Sequence, residues 1–360
     1  MAQLNGIRPI FALIVLALVS SSAIGQSLDT EYPGRTWKKS NPETLGWSSA
    51  GLSAADDFAR SIRTDAYLVI HKGQIVHEYG DTSRPSNVHS VRKSVLSILI
   101  GIYVDKDVIG LDKTIAELGI DDKDGLTSAE KQATVKQLLQ ARSGIYHRSA
   151  YEPTNVSAKH PARGTVGPGQ RFEYNNWDFN ALGTVFKVMT GKSVFESLET
   201  DLARPLQFED FSSFRDTRWV YDRSLSEHPA YEMRLSARDL GRIGLLMARR
   251  GRWKDQRIVS EAWVTESTSS YSTTGPGTGY GYLWWVGIDG RHFGQIFPAP
   301  IFSARGNHGQ FVLVDQTRDL VIVHRVNSDK ATHANVGNKE FGALLGKLLA
   351  AGPDLMLRRE

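Results

Sequence analysis

The chain has no cysteine among its 360 residues, so neither a disulfide framework nor a lipid-acceptor thiol can form. It also lacks an excess of one charge: 43 basic against 39 acidic side chains leave a formal +4. An imbalance that small, with no basic run beyond isolated arginine pairs, gives no reason to expect a nucleic-acid partner. Long hydrophobic runs are missing as well. The stretch from Ile10 to Val19 is shorter than the roughly 20 residues that a membrane span needs. With Arg8 before it and Ala23-Ile24-Gly25 after it, it reads as a cleavable leader over residues 1–25. A periplasmic or secreted bacterial protein without a stable membrane span is therefore expected, large enough to build a core without disulfides.

Several chemistries are excluded in the same way. There is no Gly-x-Ser-x-Gly elbow and no Ser-Asp-Asn. His-Glu-x-x-His is absent, and no pair of histidines has a zinc-binding spacing, so no metal or other cofactor is expected. His71 and His77 flank the Lys72-Gly73 turn and read as hairpin residues. Gly275-Pro276-Gly277-Thr278-Gly279 leads into an aromatic strand and not a helix, so it forms no phosphate cradle.

What is present begins at Ser90-Val91-Arg92-Lys93. From Val95 onward Leu96, Ile98, Leu99, Ile100, Ile102 and Tyr103 leave no polar face, which predicts a buried helix. Residues three apart share a helix face, so Lys93 lies beside Ser90. A serine hydroxyl becomes a nucleophile when a base takes its proton. A lysine can be that base where burial and nearby positive charge favour the neutral amine. Ser128-Ala129-Glu130-Lys131 has the same spacing and serves as a control. There Thr127 or Ser128 reads as a helix cap followed by a solvated first turn.

A second element, Tyr174-Asn175-Asn176, lies in a loop just before a helix carrying Phe179, Leu182, Val185, Phe186 and Met189. Tyr174 can exchange a proton if a nearby ammonium lowers its pKa. Asn176 can donate to a substrate carbonyl and accept from Lys93. A third element is Gly306-Asn307-His308-Gly309-Gln310, which precedes two apolar runs that read as a hairpin over 310–314 and 320–326. Glycine there permits close approach of a substrate to the backbone. The Gln310 N–H, with that of Ser90, is expected to form an oxyanion hole; His308 reads as a structural loop histidine.

In this order the three elements resemble the serine beta-lactamase and penicillin-binding-protein superfamily. The likeness is to its class C branch, with the family VIII esterases and 6-aminohexanoate-dimer hydrolases. Flanking pieces carry it too: Gln137-Leu138-Leu139 with Ser143-Gly144, Arg238-Asp239-Leu240-Gly241-Arg242, and Tyr280-Gly281-Tyr282-Leu283-Trp284-Trp285. The resemblance implies an α/β (α+β) transpeptidase-like fold, an antiparallel sheet flanked by helices with a mostly helical subdomain. It implies that Ser90 is acylated, that Lys93 and Tyr174 share the acid/base work, and that Asn176 positions the substrate carbonyl and Lys93. Asn307-His308-Gly309 stands where the family carries Lys-Thr-Gly, whose lysine favours a substrate carboxylate. A neutral Asn307 favours esters, or amides without a matching carboxylate.

The sheet domain is expected over residues 46–104 and 261–352, a helical insert over 105–260, and an extended arm over 26–45. Trp177 and Tyr146 are expected as pocket walls, with the loop 287–300 as a roof. The function so implied is an exported serine hydrolase of a small ester, amide or peptide-like substrate, acting through an acyl-enzyme on Ser90. The alternatives are a beta-lactamase or D-Ala-D-Ala carboxypeptidase, and a catalytically silent binding protein on the same fold. Oligomeric state is not encoded in any of these patterns.

Overall fold

Strands with apolar side chains on both faces must be covered on both faces, and this sets the layering. The computed structural model describes residues 1–2, 31–297 and 300–353. The leader expected over 1–25 (Met1 and Ala2 aside) and the first five residues of the arm lie outside this range. Helix α1 (Ser49–Ser61) leads to a hairpin of β1 (Ala66–His71) and β2 (Gln74–Gly80). Helices α2 (Val91–Val104), α3 (Asn176–Thr190) and α4 (Ala237–Ala248) follow. Next come β3 (Ser272–Gly275), β4 (Thr278–Tyr280), β5 (Trp285–Gly287) and β6 (Ile301–Gly306). Strands β7 (Gln310–Asp315) and β8 (Leu320–Arg325) and helix α5 (Asn338–Ala351) complete the order. The eight strands form one antiparallel sheet in the order β2-β1-β8-β7-β6-β5-β4-β3. This is the helix-flanked antiparallel sheet that the sequence predicts.

Side-chain alternation divides the sheet between two cores. Leu68 and Ile70 of β1, Val312 and Val314 of β7, and Val321 and Val323 of β8 pack with α2, α3 and α4. Their neighbours Tyr67, Val69, Leu313, Leu320 and Ile322 pack with α1 and α5. Helix α4 sits close to the sheet because two glycines face it. A Cβ on Gly241 would lie 2.5 Å from Ile70 Cδ1, and one on Gly244 2.4 Å from Val321 Cγ1. Outside the main sheet, Ser86–Asn87 pairs with Ala230–Leu235, which also pairs with Thr217–Val220. The described residues from Glu31 onward belong to one compact unit.

Three expectations change. The sequence pattern places the first helix over Ser53 to Arg63; α1 instead starts at Ser49, because the Ser48 hydroxyl caps it by accepting from Gly51 N–H at 3.1 Å. The aromatic run Tyr280–Val286 is two strands. Leu283 adopts φ 65°, Gly281 N–H donates to Trp284 O at 2.8 Å, and Tyr280 pairs with Trp285 across the turn. Within the expected roof 287–300, the described residues up to 297 contain a small hairpin, Arg291–His292 with Gln295–Ile296. Its Phe293 packs on Phe341 and Phe311, so that ring is anchored in the second core. No helix of the described residues is long and apolar enough to cross a membrane.

Helix α2 is buried from Val91 to Tyr103, and Gly101 shows how tightly. Its missing Cβ would fall 2.2 Å from Trp263 Cδ1. An exposed Gly→Ala in a helix gains about 1 kcal/mol; overpacking here costs about 1–3 kcal/mol. Gly101→Ala is therefore expected to lower the guanidinium midpoint at unchanged m-value, although Ala is the better helix former.

Candidate active site

Ser90 directly precedes α2, with φ −71° and ψ −8°, and its hydroxyl makes no capping bond. The helix start therefore leaves the hydroxyl to other partners. The segment before it is pinned by Arg325 at the end of β8. That buried guanidinium donates to Ser86 O (3.0 Å), Asn87 O (3.2 Å), Leu235 O (2.6 Å) and Gln310 Oε1 (2.7 Å). His89 is forced into the left-handed region, φ 47°, which costs a non-glycine residue about 1–3 kcal/mol. Its N–H donates to Asn87 Oδ1 at 2.8 Å and its Nε2 lies 2.7 Å from Ser328 Oγ. These bonds hold the strained turn that presents Ser90.

Lys93 Nζ lies 3.1 Å from Ser90 Oγ, 2.7 Å from Tyr174 Oη and 2.7 Å from Asn176 Oδ1. It also faces the rings of Tyr174 and Phe179, 4.2 and 4.1 Å from their centroids. The residue is 2% exposed. Burial first, and then the Arg92 charge, push the amine well below the usual lysine range, while Glu152 opposes them. Arg92 is itself buried, over the Tyr231 ring at 4.8 Å. A neutral amine has two N–H groups for Tyr174 and Asn176 and a lone pair for the Ser90 hydroxyl. Tyr174 departs from expectation. Burial raises its pKa, and contact with Ser90 only partly offsets this, so the phenol keeps its proton.

The Tyr-x-Asn segment is held from the other side. Asn175 caps α3 by accepting from Asp178 N–H at 2.9 Å. Asn176 Nδ2 donates to Tyr151 O at 2.7 Å, and its N–H to Glu152 Oε1 at 2.9 Å. The second oxygen of Glu152 is buried without a hydrogen-bond partner, and its carboxyl pKa is raised, chiefly by burial. Neither Tyr151 nor Glu152 is marked by any local pattern in the sequence.

Ser90, Tyr174 and Asn176 line a cleft of about 400 Å³ with Asn307, His308 and Gly309. Gln310 does not line it. Its side chain is buried, donating to Val326 O at 2.7 Å and accepting from Arg325. Gly306 comes close to Ser90: a Cβ on it would lie 3.1 Å from Ser90 N and 2.5 Å from Val88 O. His308, φ 65°, has Nδ1 3.2 Å from His333 Nε2, and its ring meets His89 edge-on at 5.0 Å. Arg305 also lines the cleft, so a cation stands there although Asn307 is neutral. The signal for both residues was the apolar run Ile301-Phe302 ahead of Gly306, which is β6.

The expected walls are misplaced. Trp177 is buried and donates from Nε1 to Asp122 Oδ2 at 2.5 Å, away from the cleft. Tyr146 lines a separate depression with His147 and Arg148. The aromatic wall is Trp285, tilted against Tyr174 at 5.6 Å.

The beta-lactamase family model matches residues 50–347. The chain belongs to the beta-lactamase family. It is 25% identical to the 6-aminohexanoate-dimer hydrolase of Paenarthrobacter ureafaciens, over 72% of this chain and 71% of that one. A Bacillus anthracis protein provisionally assigned the same name superposes with a TM-score of 0.64 at 20% identity, over 89% and 86% of the two chains. An octameric penicillin-binding-protein homologue of Pyrococcus abyssi gives 0.60 at 17%, over 84% and 77%. As a beta-lactamase-family serine hydrolase, the protein brings its Ser-x-x-Lys and Tyr-x-Asn motifs into hydrogen-bonding contact around one amine. Gly306→Ala places a methyl against Val88 O and Ser90 N, and a displaced backbone donor costs about 100- to 1000-fold in rate. Labelling of Ser90 by a fluorophosphonate, quantified by intact-mass spectrometry, is expected to slow by that order while the far-UV CD spectrum is unchanged.

Proposed function

We propose that the protein is an exported serine hydrolase that acylates Ser90 with a small ester or amide and releases the acyl group to water. The observation that carries this reading is the single buried amine of Lys93 in reach of Ser90, Tyr174 and Asn176. Neutral Lys93 takes the Ser90 proton as Oγ attacks the substrate carbonyl carbon. The resulting oxyanion is met by the Ser90 N–H and a second backbone N–H supplied where β6 passes Ser90. Tyr174 gives its proton to the departing alcohol or amine and regains one from Lys93. Water then enters, loses a proton to the same pair, and attacks the acyl carbon; the Ser90 oxygen leaves and takes that proton back.

The leader over residues 1–25 supports export. The Paenarthrobacter relative, named for hydrolysis of 6-aminohexanoate dimer, supports a short amide as substrate. A second reading, a beta-lactam or D-Ala-D-Ala substrate, is favoured by one observation: a cation, Arg305, lines the cleft. Nitrocefin turnover and covalent labelling by a fluorescent penicillin separate it from the first.

Ser90→Ala is expected to abolish p-nitrophenyl butyrate hydrolysis and fluorophosphonate labelling together; equal turnover by wild type and variant refutes the acyl-enzyme. The pH profile has a defined sign. The base is the unprotonated amine, so kcat/KM falls as pH drops through the lowered pKa of Lys93 and levels off above it. Because Tyr174 is held protonated past the ordinary phenol range, no alkaline loss is expected below about pH 10. A profile that instead rises towards acid removes Lys93 as base.

A further inference from the structure

We infer that the cleft continues past Arg305 into a second cavity that receives the carboxylate-bearing end of an elongated substrate, an inference that rests on Ser90 being the acylated residue. The second cavity, about 610 Å³, shares Arg305 and Asn338 with the first. Its lining carries Arg291, Lys339 and Arg305 and no aspartate or glutamate. The first cavity by contrast contains Glu152, so an anionic end is better accommodated in the second.

Arg305 is the centre of the argument. Its guanidinium is held 4.0 Å from the Phe293 ring centroid and 5.2 Å from that of Trp285. Nε donates to Ser303 Oγ at 3.0 Å, and one Nη to His292 Nε2 at 3.1 Å. Among the described residues no carboxylate lies within 4 Å of it, whereas Arg242 pairs with Glu209 and Arg249 with Asp319. Arg325, also without such a partner, uses all three nitrogens on carbonyl, amide and hydroxyl oxygens. Arg305 leaves its other Nη unused. A secluded cation is costly unless compensated; ring faces compensate in part, and a forked donor suits a carboxylate that arrives with the ligand.

The backbone adds to the same field. Helix α5 begins at Asn338 on the rim shared by both cavities, behind Gly337, which has no side chain to cap the first turn. Its N-terminus favours an anion. Glu340, the acid of that turn, accepts from Gly337 N–H at 3.1 Å and lines neither cavity. Phe293 offers an apolar wall for the methylenes that would separate the scissile bond from the carboxylate.

The test compares far-end acids with their methyl esters. One series uses p-nitrophenyl monoesters of hexanedioic and octanedioic acid. The other uses butyrate esters of 6-hydroxyhexanoic acid, which place the carboxylate on the leaving side. In at least one series kcat/KM for the acid is expected to exceed that for the methyl ester by about tenfold or more at low salt, mainly through KM, and to narrow as salt rises. Arg305→Gln, and independently the exposed pair Arg291→Ala/Lys339→Ala, are expected to bring the ratio towards one. The double variant keeps the test available should the substitution at the half-buried Arg305 unfold the protein. A wild-type ratio near one in both series, with turnover that depends on Ser90, overturns the second subsite and leaves the acyl-enzyme standing. So does a ratio that persists in every folded variant. Absence of Ser90-dependent turnover of the neutral esters as well removes the acyl-enzyme reading, and the subsite with it.

Discussion

A lysine amine stripped of water inside an apolar helix is the constraint on which the rest of the site depends. Lys93 cannot hold a proton cheaply where it stands, because ammonium loses its hydration and finds no carboxylate bonded to it. Each neighbour fits that condition. Asn176 Oδ1 accepts one N–H, Tyr174 Oη takes another, and the third direction is open to Ser90. Arg92 adds a charge that the amine avoids by staying neutral. A helix with one solvated face would hydrate Lys93 and remove the basis for its chemistry, so the uninterrupted burial of α2 belongs to the active site as much as to the core.

The second requirement is that elements far apart in the chain meet with little tolerance. Ser90 is delivered by a short strand paired to Ala230–Leu235, a left-handed His89 and the buried Arg325, whose geometry Gln310 fixes. β6 then closes on Ser90 from the other side, and only a glycine at 306 leaves room. A packed interior cannot absorb an added methyl without displacing its neighbours. The two glycines of α4 serve the sheet in the same way, letting a helix from the middle of the chain lie directly on β1 and β8. The distances around Ser90 and Lys93 are thus set by sheet register and helix depth together.

Charge is distributed along the cleft with a polarity that composition conceals. The chain as a whole is close to balanced, yet Glu152 lies on one cavity and Arg291, Arg305 and Lys339 on the next. Most buried arginines elsewhere are answered by an acid or by a full set of oxygen acceptors. Arg305 is answered mainly by aromatic faces and a neutral imidazole, which hold the guanidinium in position without neutralising it.

Features that depend on neighbours within a few residues can be read from the order of amino acids alone. The contact of Ser90 with Lys93 follows from helix periodicity. The burial of α2 follows from its lack of a polar face, the β7–β8 hairpin from two apolar runs about a polar turn, and α5 from the spacing of Phe341, Leu344, Leu345 and Leu348. The meeting of Tyr174 and Asn176 with Lys93 was legible through family likeness, not through local physics. It took the folded chain to show that Gly306 abuts Ser90, that Trp285 and not Trp177 or Tyr146 walls the cleft, and that Arg305 puts a cation there. Those outcomes turn on strand register and on which of two alternating faces is covered, and a shift of one residue exchanges them. Local spacing carries no information about a partner strand two hundred positions away.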